Sequence, residues 1–251
     1  MALSPDVSSI LKQIESLSSI PVEVHADSTL RRPGRVLIAR GERRSHLCTY
    51  NPNLQTADYY VAFEAAFILR LFETPADGRV QFAETGEGLR EIEKLESAML
   101  SKFPPAGRKQ FQQQVHDGLL SQLRSQPVGM RINEWLREAH PGLAEVQRQG
   151  IEMEQREAVQ VLTPDLRSIT PRNVYETSTA MNAAVALWAD RLLGISRYAV
   201  PYEAAGLAER GRDLLAIADS IPAAPARDRE RVDRWGEKLG LSTWFQWVPL
   251  S

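Results

Sequence analysis

Glu64 lies between two phenylalanines, Phe63 and Phe67, in an apolar stretch with the periodicity of a helix. Positions 63 and 67 are four residues apart, so a helix places their side chains on one face, one turn from each other. Histidines at these two positions would hold a zinc ion, and the glutamate between them would act as a general base. Phenylalanine has no lone pair to offer a cation. We therefore expect the segment Phe63-Glu64-Ala65-Ala66-Phe67 to bind no metal and to contain no catalytic residue.

The neighbouring residues predict the elements that position this segment. Residues 35–40 and 46–50 are short β-rich runs on either side of a polar loop, which is typical of a hairpin. Asn51-Pro-Asn53 ends the second strand, and Thr56 or Asp58 can cap a helix over residues 57–73. Apolar residues at positions i and i+4 are also what any core-facing helix shows. Phe63 and Phe67 alone therefore do not distinguish a vestigial site from ordinary packing.

The order of strands, Asn-Pro turn and helix over residues 20–73 resembles the active-site unit of zincin-type metallopeptidases, and is closest to the ImmA/IrrE kind. The similar helix reads Asp-Tyr-x-x-Ala-Phe-Glu-x-x-Phe-Ile-Leu-Arg over residues 58–70. The resemblance implies a zinc site of two histidines and an acidic residue, with the motif glutamate polarising water. Only that glutamate is present, as Glu64. A third ligand is left open among Glu91, Glu93, Glu96 and Asn133-Glu134.

Composition and charge indicate an ordinary soluble protein. The chain has 251 residues and a formal net charge of −2, so the bulk charge gives no attraction to nucleic acid. No apolar stretch approaches the ~18–20 residues of a membrane span, and the N-terminus lacks the basic and apolar regions of a signal peptide. The single Cys48 falls in a predicted strand and is interpreted as a small core residue. We expect a cytoplasmic protein.

One basic cluster lies in and around the predicted hairpin. It flanks the strand ends, where the side chains would be exposed. A solvated rim is the plain interpretation, and a phosphate site or a protein-docking surface are the alternatives. The candidate partner-binding residues are Arg31, Arg32, Arg35, Arg43 and Arg44.

The periodicity of the chain predicts an α+β, mostly helical fold in one domain over residues 1–251. A small N-terminal β-sheet packs on the motif helix within residues 1–75, and residues 76–251 form a helical portion. Strands are expected only before about residue 52. Helices are predicted over residues 5–18, 57–73, 85–100, 106–125, 130–136, 172–193, 201–219 and 228–239.

Two segments of the helical portion stand out by composition. The stretch 141–162 is dense in Glu, Gln and Arg, and we interpret it as an exposed or bridging helix whose acids, such as Glu152 and Glu154, are solvated. Near the C-terminus, Trp235, Trp244, Phe245 and Trp247 are crowded together. We expect these rings to seal the core against the helix 172–193, with an exposed partner anchor as the alternative.

These observations favour a non-catalytic function. The leading hypothesis is a pseudo-zincin without cofactors, acting as a binding or regulatory component in the bacterial cytosol with a protein partner. One alternative is an active zinc metallopeptidase whose motif histidines are altered here or replaced by other ligands. Another is a scaffold or oligomerisation subunit. The sequence leaves the partner and the oligomeric state undetermined.

Overall fold

The computed structural model of the protein describes residues 3–94 and 104–250. Its helices are α1 (Pro5–Ser18), α2 (Ala57–Glu73), α3 (Glu87–Glu93), α4 (Pro105–Ala139), α5 (Ala144–Ala158), α6 (Pro164–Ile169), α7 (Arg172–Leu193), α8 (Val200–Ala204), α9 (Ala208–Ser220) and α10 (Asp228–Leu239). Its strands are β1 (Val22–Ala26), β2 (Gly34–Leu37), β3 (His46–Tyr50), β4 (Val80–Glu84) and β5 (Phe245–Pro249). The fold is α+β and mostly helical, as predicted.

The N-terminal sheet has the strand order β1-β3-β2. β3 is parallel to β1 and antiparallel to β2, with Val36 opposite Cys48 in the predicted hairpin. Helix α2 packs between this sheet and α1, and its burial extends nearly all round, because Tyr59, Ala65 and Ile68 are each fully buried. The bounds of α2 match the prediction, but neither expected cap is present. Asp58 instead accepts a hydrogen bond from the backbone N–H of Ser4 at the start of α1, at 3.2 Å.

The structure contains a second sheet, so the expectation that strands occur only before about residue 52 is wrong. β4 pairs with β5 in antiparallel register, with Phe82 opposite Trp247. The two strands are far apart in sequence, so neither gives the local hairpin signal on which the prediction relied. The expected helix over residues 85–100 appears as the shorter α3 within the described residues, and its remainder lies outside them.

The predicted break between two helices at residues 127–129 is wrong, because α4 is one continuous helix there. It continues through Pro127, which cannot donate a backbone hydrogen bond to the preceding turn. Leu123, Ile132 and Leu136 form a fully buried face on both sides of the proline. Packing of this continuous face against α2, α7 and α10 offsets the lost hydrogen bond. The predicted helix over 201–219 is likewise corrected, since it divides into α8 and α9 at Gly206, whose φ is +72°.

The C-terminal aromatic residues are buried as predicted except Trp247, which is half-buried. Their hydrogen-bond and stacking partners differ from those expected. Trp235 donates its indole N–H to the carbonyl of Leu214 in α9, at 2.9 Å. The indole N–H of Trp244 donates to Glu91 in α3, and Phe245 stacks on Phe82 in β4. These contacts run to α9, α3 and β4, and the stacking of Phe245 on Phe82 follows from the pairing of β5 with β4. In the described part of the chain, no helix has the length and apolar character needed to cross a bilayer.

Candidate functional site

A cleft of about 650 Å³ lies alongside β2 and α2 and is closed on its other sides by α4, α5 and the β4–β5 sheet. Its size falls within the range of ligand-binding clefts. Aromatic and aliphatic side chains form about half of its wall, and ten charged residues also line it. The central wall residues are Val36, Phe63, Glu64, Phe67, Arg124 and Glu154. The structure thus brings Phe63, Glu64 and Phe67 of the motif segment to the wall of one cleft.

A glycine allows Glu64 to lie directly over β2. A Cβ atom at Gly34 would come within 3.0 Å of Cγ of Glu64 and within 3.4 Å of Cβ of Tyr60. Any larger residue at position 34 would therefore separate β2 from α2. The close approach brings the Glu64 carboxyl near the backbone N–H of Val36, which stabilises its ionised form and acts to lower its pKa.

Phe63 and Phe67 form an apolar wall of the cleft. Their ring centroids are 5.3 Å apart with an interplanar angle of 88°, which is an edge-to-face pair. Both side chains are half-buried, because one side of each ring packs on the core and the other faces the cleft. Phe63 and Phe67 are therefore not purely core-packing residues, because they also form an exposed part of the candidate site.

Helix α5 supplies a second carboxylate that sequence reasoning assigned to solvent. A Cβ atom at Gly150 would lie 2.3 Å from the Tyr59 ring, so the glycine permits close contact between α5 and α2. One turn later, Glu154 reaches the cleft. The hydroxyl of Tyr60 lies between the two helices and donates to the carbonyl of Gly150 at 3.4 Å. The available signal was periodicity, since position 154 lies on the same helix face as the buried Ile151.

The environment of the two carboxylates makes them weak acids. Burial raises the pKa of Glu64 to about 7, against the opposing effect of Arg124 and Arg32. Burial also raises the pKa of Glu154 to about 7, where hydrogen bonding with Tyr60 lowers it and the charges of Glu64 and Glu157 raise it. Carboxyls with such pKa values in a cleft are typical of functional sites, although buried structural groups also show them.

Other ionisable groups near the pair follow the same physical rule. Burial raises the pKa of the Tyr60 hydroxyl well above its ordinary value, and the acids of α5 raise it further. Burial, followed by the charge of Glu64, raises the pKa of the Cys48 thiol to about 12. Cys48 is thus a protonated core residue, in keeping with its interpretation from the sequence.

The five arginines proposed as partner-binding residues do not all line the same cavity. Arg32 and Arg35 line the cleft. Arg43 lines a smaller, separate cavity beside the loop that joins β2 to β3. Arg31 and Arg44 are exposed and line neither of these two cavities. Only Arg32 and Arg35 are therefore placed to act together with Glu64.

The residues around Glu64 do not fit a zinc site of the expected kind. Phenylalanine rings occupy both motif positions, and the proposed third ligands are engaged elsewhere: Glu91 accepts from Trp244, and Glu134 accepts from Trp188 and Arg131. Asn133 donates to the carbonyl of Gly129. Glu93 is the last residue of α3 and does not line the cleft, and Glu96 lies outside the described residues.

A separate cluster of possible metal ligands joins α4 to β4. Nδ1 of the buried His116 lies 3.1 Å from Asp117 and 3.8 Å from Glu84. Both carboxylates are exposed, and the His116 ring stacks on Trp244. Residue spacing gives no signal for this cluster, because Glu84 is distant from His116 in sequence.

Comparison of the chain with known protein families, with curated proteins and with solved structures gives no match. The resemblance to zincins therefore remains a prediction from residues 20–73.

Proposed function

We propose that this protein is a non-catalytic, metallopeptidase-like binding component that holds an extended segment of a protein partner in the cleft beside β2. The observation that carries the proposal is the pair of phenylalanine rings at positions 63 and 67. Where a zinc enzyme of this pattern would place ligands, the chain presents an apolar wall to an accessible cleft. Apolar walls with a few convergent polar groups favour binding of a ligand.

The position of β2 supports an extended segment as the ligand. β2 is the last strand of its sheet, and the N–H of Asn51 donates to the carbonyl of Pro33 at 3.0 Å at its start. Because hydrogen-bonded pairs alternate along an antiparallel ladder, Arg35 and Leu37 turn their backbone groups toward β3, whereas Val36 turns its groups toward the cleft. The Val36 N–H donates a hydrogen bond to the Glu64 carboxyl, so an extended segment that adds to this edge through main-chain hydrogen bonds would take the place of Glu64 at that N–H.

Charged groups of both signs line the cleft: six arginines (Arg32, Arg35, Arg40, Arg70, Arg124 and Arg229) and four acids (Glu64, Glu154, Glu157 and Asp228). The preference for a protein ligand over nucleic acid therefore rests on the net charge of −2, which gives no bulk attraction to nucleic acid, and on the acids beside Phe63 and Phe67, which would repel a phosphate there. We place the protein in the bacterial cytosol as part of the same proposal, on the basis of its lone buried thiol and its composition.

A cleft-blocking variant tests this function. Ser121 is exposed on α4 at the edge of the cleft, so Ser121→Trp would fill the cleft while leaving the core unchanged. Ser9→Trp, at an exposed position of α1 outside the cleft, is the matched control. Peptides selected from a random library on the wild-type protein are expected to bind Ser9→Trp equally well and Ser121→Trp at least ~10-fold more weakly, a difference of about 1.4 kcal/mol.

The selection can also contradict the proposal. If every selected peptide binds both tryptophan variants with wild-type affinity, the cleft is not the binding site. If the library gives no binder above background, the cleft has no affinity for extended segments. Circular dichroism of the two variants checks that their folding is the same.

A further inference from the structure

Glu64 and Glu154 approach each other from two different helices without a cation to pair with. Within residues 3–94 and 104–250, neither carboxylate has a Lys, Arg or His nitrogen within 4.0 Å. Glu152 lies only two residues before Glu154 on α5 and differs from it in its ion pairs. Glu152 forms ion pairs with three arginines, Arg148, Arg156 and Arg197. Glu154, which faces the cleft, has a hydrogen bond with Tyr60 but no cationic partner among the described residues.

The nearest fixed charges do not neutralise the pair. Arg32 precedes β2 and Arg124 lies on α4, and both act on Glu64 from exposed positions at the rim. On the other side, Glu157 adds a like charge to Glu154. Since burial already disfavours ionisation of both carboxyls, a cation bound between them would recover interaction energy that the free protein lacks.

We propose that the cleft receives a lysine or arginine side chain of the bound protein segment and holds its charged end between the carboxylates of Glu64 and Glu154. This inference rests on the proposed function and specifies the ligand it requires. The Phe63 and Phe67 rings provide the apolar wall along which the aliphatic stem of such a side chain packs. The Tyr60 hydroxyl, already placed between α2 and α5, offers a further oxygen acceptor at the charged end.

The shape of the cleft points to a side chain on a polypeptide rather than to a free amine. The cleft continues from the acid pair along β2 and past Phe82 to Trp247 and Leu250. A single small amine would occupy only the region of the acid pair. An extended segment would place one cationic side chain there and pair its main chain with the edge of β2, where it would replace Glu64 at the Val36 N–H.

Binding of the cation should release protons. The groups facing the pair are Arg32 before β2, Cys48 on β3, Tyr59 and Tyr60 on α2, Arg124 on α4 and Glu157 on α5. The two carboxyls change charge near neutrality, because burial raises the pKa of each to about 7. Affinity for the cation is therefore expected to rise as the pH increases through about 7.

The first experiment compares two capped peptides of alternating valine and threonine with a central lysine or a central norleucine. The lysine peptide is expected to bind the wild-type protein at least ~10-fold more tightly than the norleucine peptide, as one charge-assisted contact provides. Glu64→Gln and Glu154→Gln should each remove this preference. Glu138→Gln, at an exposed position of α4 outside the cleft, should retain it.

The second experiment needs no flanking sequence. N-acetyl-lysine methylamide is added while the carboxyl ¹³C resonances of Glu64 and Glu154 are followed against pH. Bound cation should lower the apparent pKa of the pair by about one unit or more, whereas the norleucine analogue should leave it unchanged. An equal response to both compounds, or to neither, would overturn the inference.

The outcomes separate this inference from the proposed function. If peptide binding requires an unblocked cleft, but the lysine and norleucine peptides bind with equal affinity, the proposed function is supported and the cation site is refuted. Binding of n-butylamine as tight as that of the lysine peptide would refute the assignment to a protein segment. Loss of all cleft-dependent peptide binding, with the lysine-induced pKa change intact, would refute the proposed function alone.

Discussion

Replacing Glu64 with glutamine should stabilise the protein at alkaline pH and have little effect in acid. Burial raises the pKa of this carboxyl from 4.5 to about 7. The folded state therefore binds more protons than the unfolded state between these two pH values, so wild-type stability falls as the pH rises through that window. Glutamine cannot ionise and does not suffer this loss.

The magnitude follows from the difference between the two pKa values. A carboxyl with a pKa of about 7 in the folded protein and 4.5 when unfolded lowers the free energy of unfolding by about 3 kcal/mol once the pH is well above 7. The Glu64→Gln variant should therefore be more stable than wild type by about 3 kcal/mol near pH 8.5. Near pH 4.5 the difference should fall below about 1 kcal/mol. Removal of one charge also lowers the pKa of Glu154, because Glu64 raises it.

Urea unfolding followed by circular dichroism across this pH range measures the effect. Glu138→Gln, an exposed acid of α4, is the matched control and should give the same difference from wild type at every pH. Stabilisation that does not change with pH would refute the reasoning, because it would arise from packing rather than from ionisation. Destabilisation near pH 8.5 would show that Glu64 is ionised and well paired in the folded protein.

Three further predictions concern packing, metal content and the second sheet. Phe67→Ala should lower the free energy of unfolding by about 2 kcal/mol in a denaturant titration. This is less than the ~3–5 kcal/mol of a fully buried ring, because one side of Phe67 already faces the cleft. No change would mean that the ring does not pack on the core. The purified protein should contain less than stoichiometric zinc, and EDTA should leave its Tm unchanged. The pseudoenzyme hypothesis would be contradicted if the purified protein contained zinc that the His116→Ala variant retains and the Glu64→Gln variant loses. Deleting residues 243–251 should lower the Tm or cause aggregation, because it removes β5 and the rings that cover Phe82; an unchanged Tm would contradict the sealing role.

Local sequence signals were sufficient to predict the bounds of helices whose capping residues lie at their own ends. α1 begins after Ser4, whose hydroxyl accepts from the N–H of Val7, and α7 ends at Gly194 with a φ of +66°. Both helices have their predicted bounds because serine caps and left-handed glycines act within one turn of the chain. α2 also has its predicted bounds, although its expected caps are absent, because Asn51-Pro-Asn53 and Pro75 limit it on both sides.

Non-local contacts account for what the sequence did not predict. β4 requires β5 as its partner, and Pro127 is tolerated within α4 only because the neighbouring helices bury its apolar face. In the candidate site, Phe63, Glu64 and Phe67 were found from their spacing on one helix. Glu154 was not found, because its burial depends on the contact of Gly150 with Tyr59 across two helices. The periodicity of α5 indicates which face of the helix is apolar, but it does not indicate which element covers that face.

The pairing of β4 with β5 has a consequence during translation. Phe82 leaves the ribosome long before Phe245 has been synthesised, so its ring remains without its stacking partner while most of the helices emerge. The nascent chain can form the N-terminal sheet and α2 early, because their contacts are close in sequence. The wall of the cleft formed by β4 and Trp247 must wait for the last strand. A stalled or shortened chain would therefore expose an apolar strand edge to chaperones and proteases.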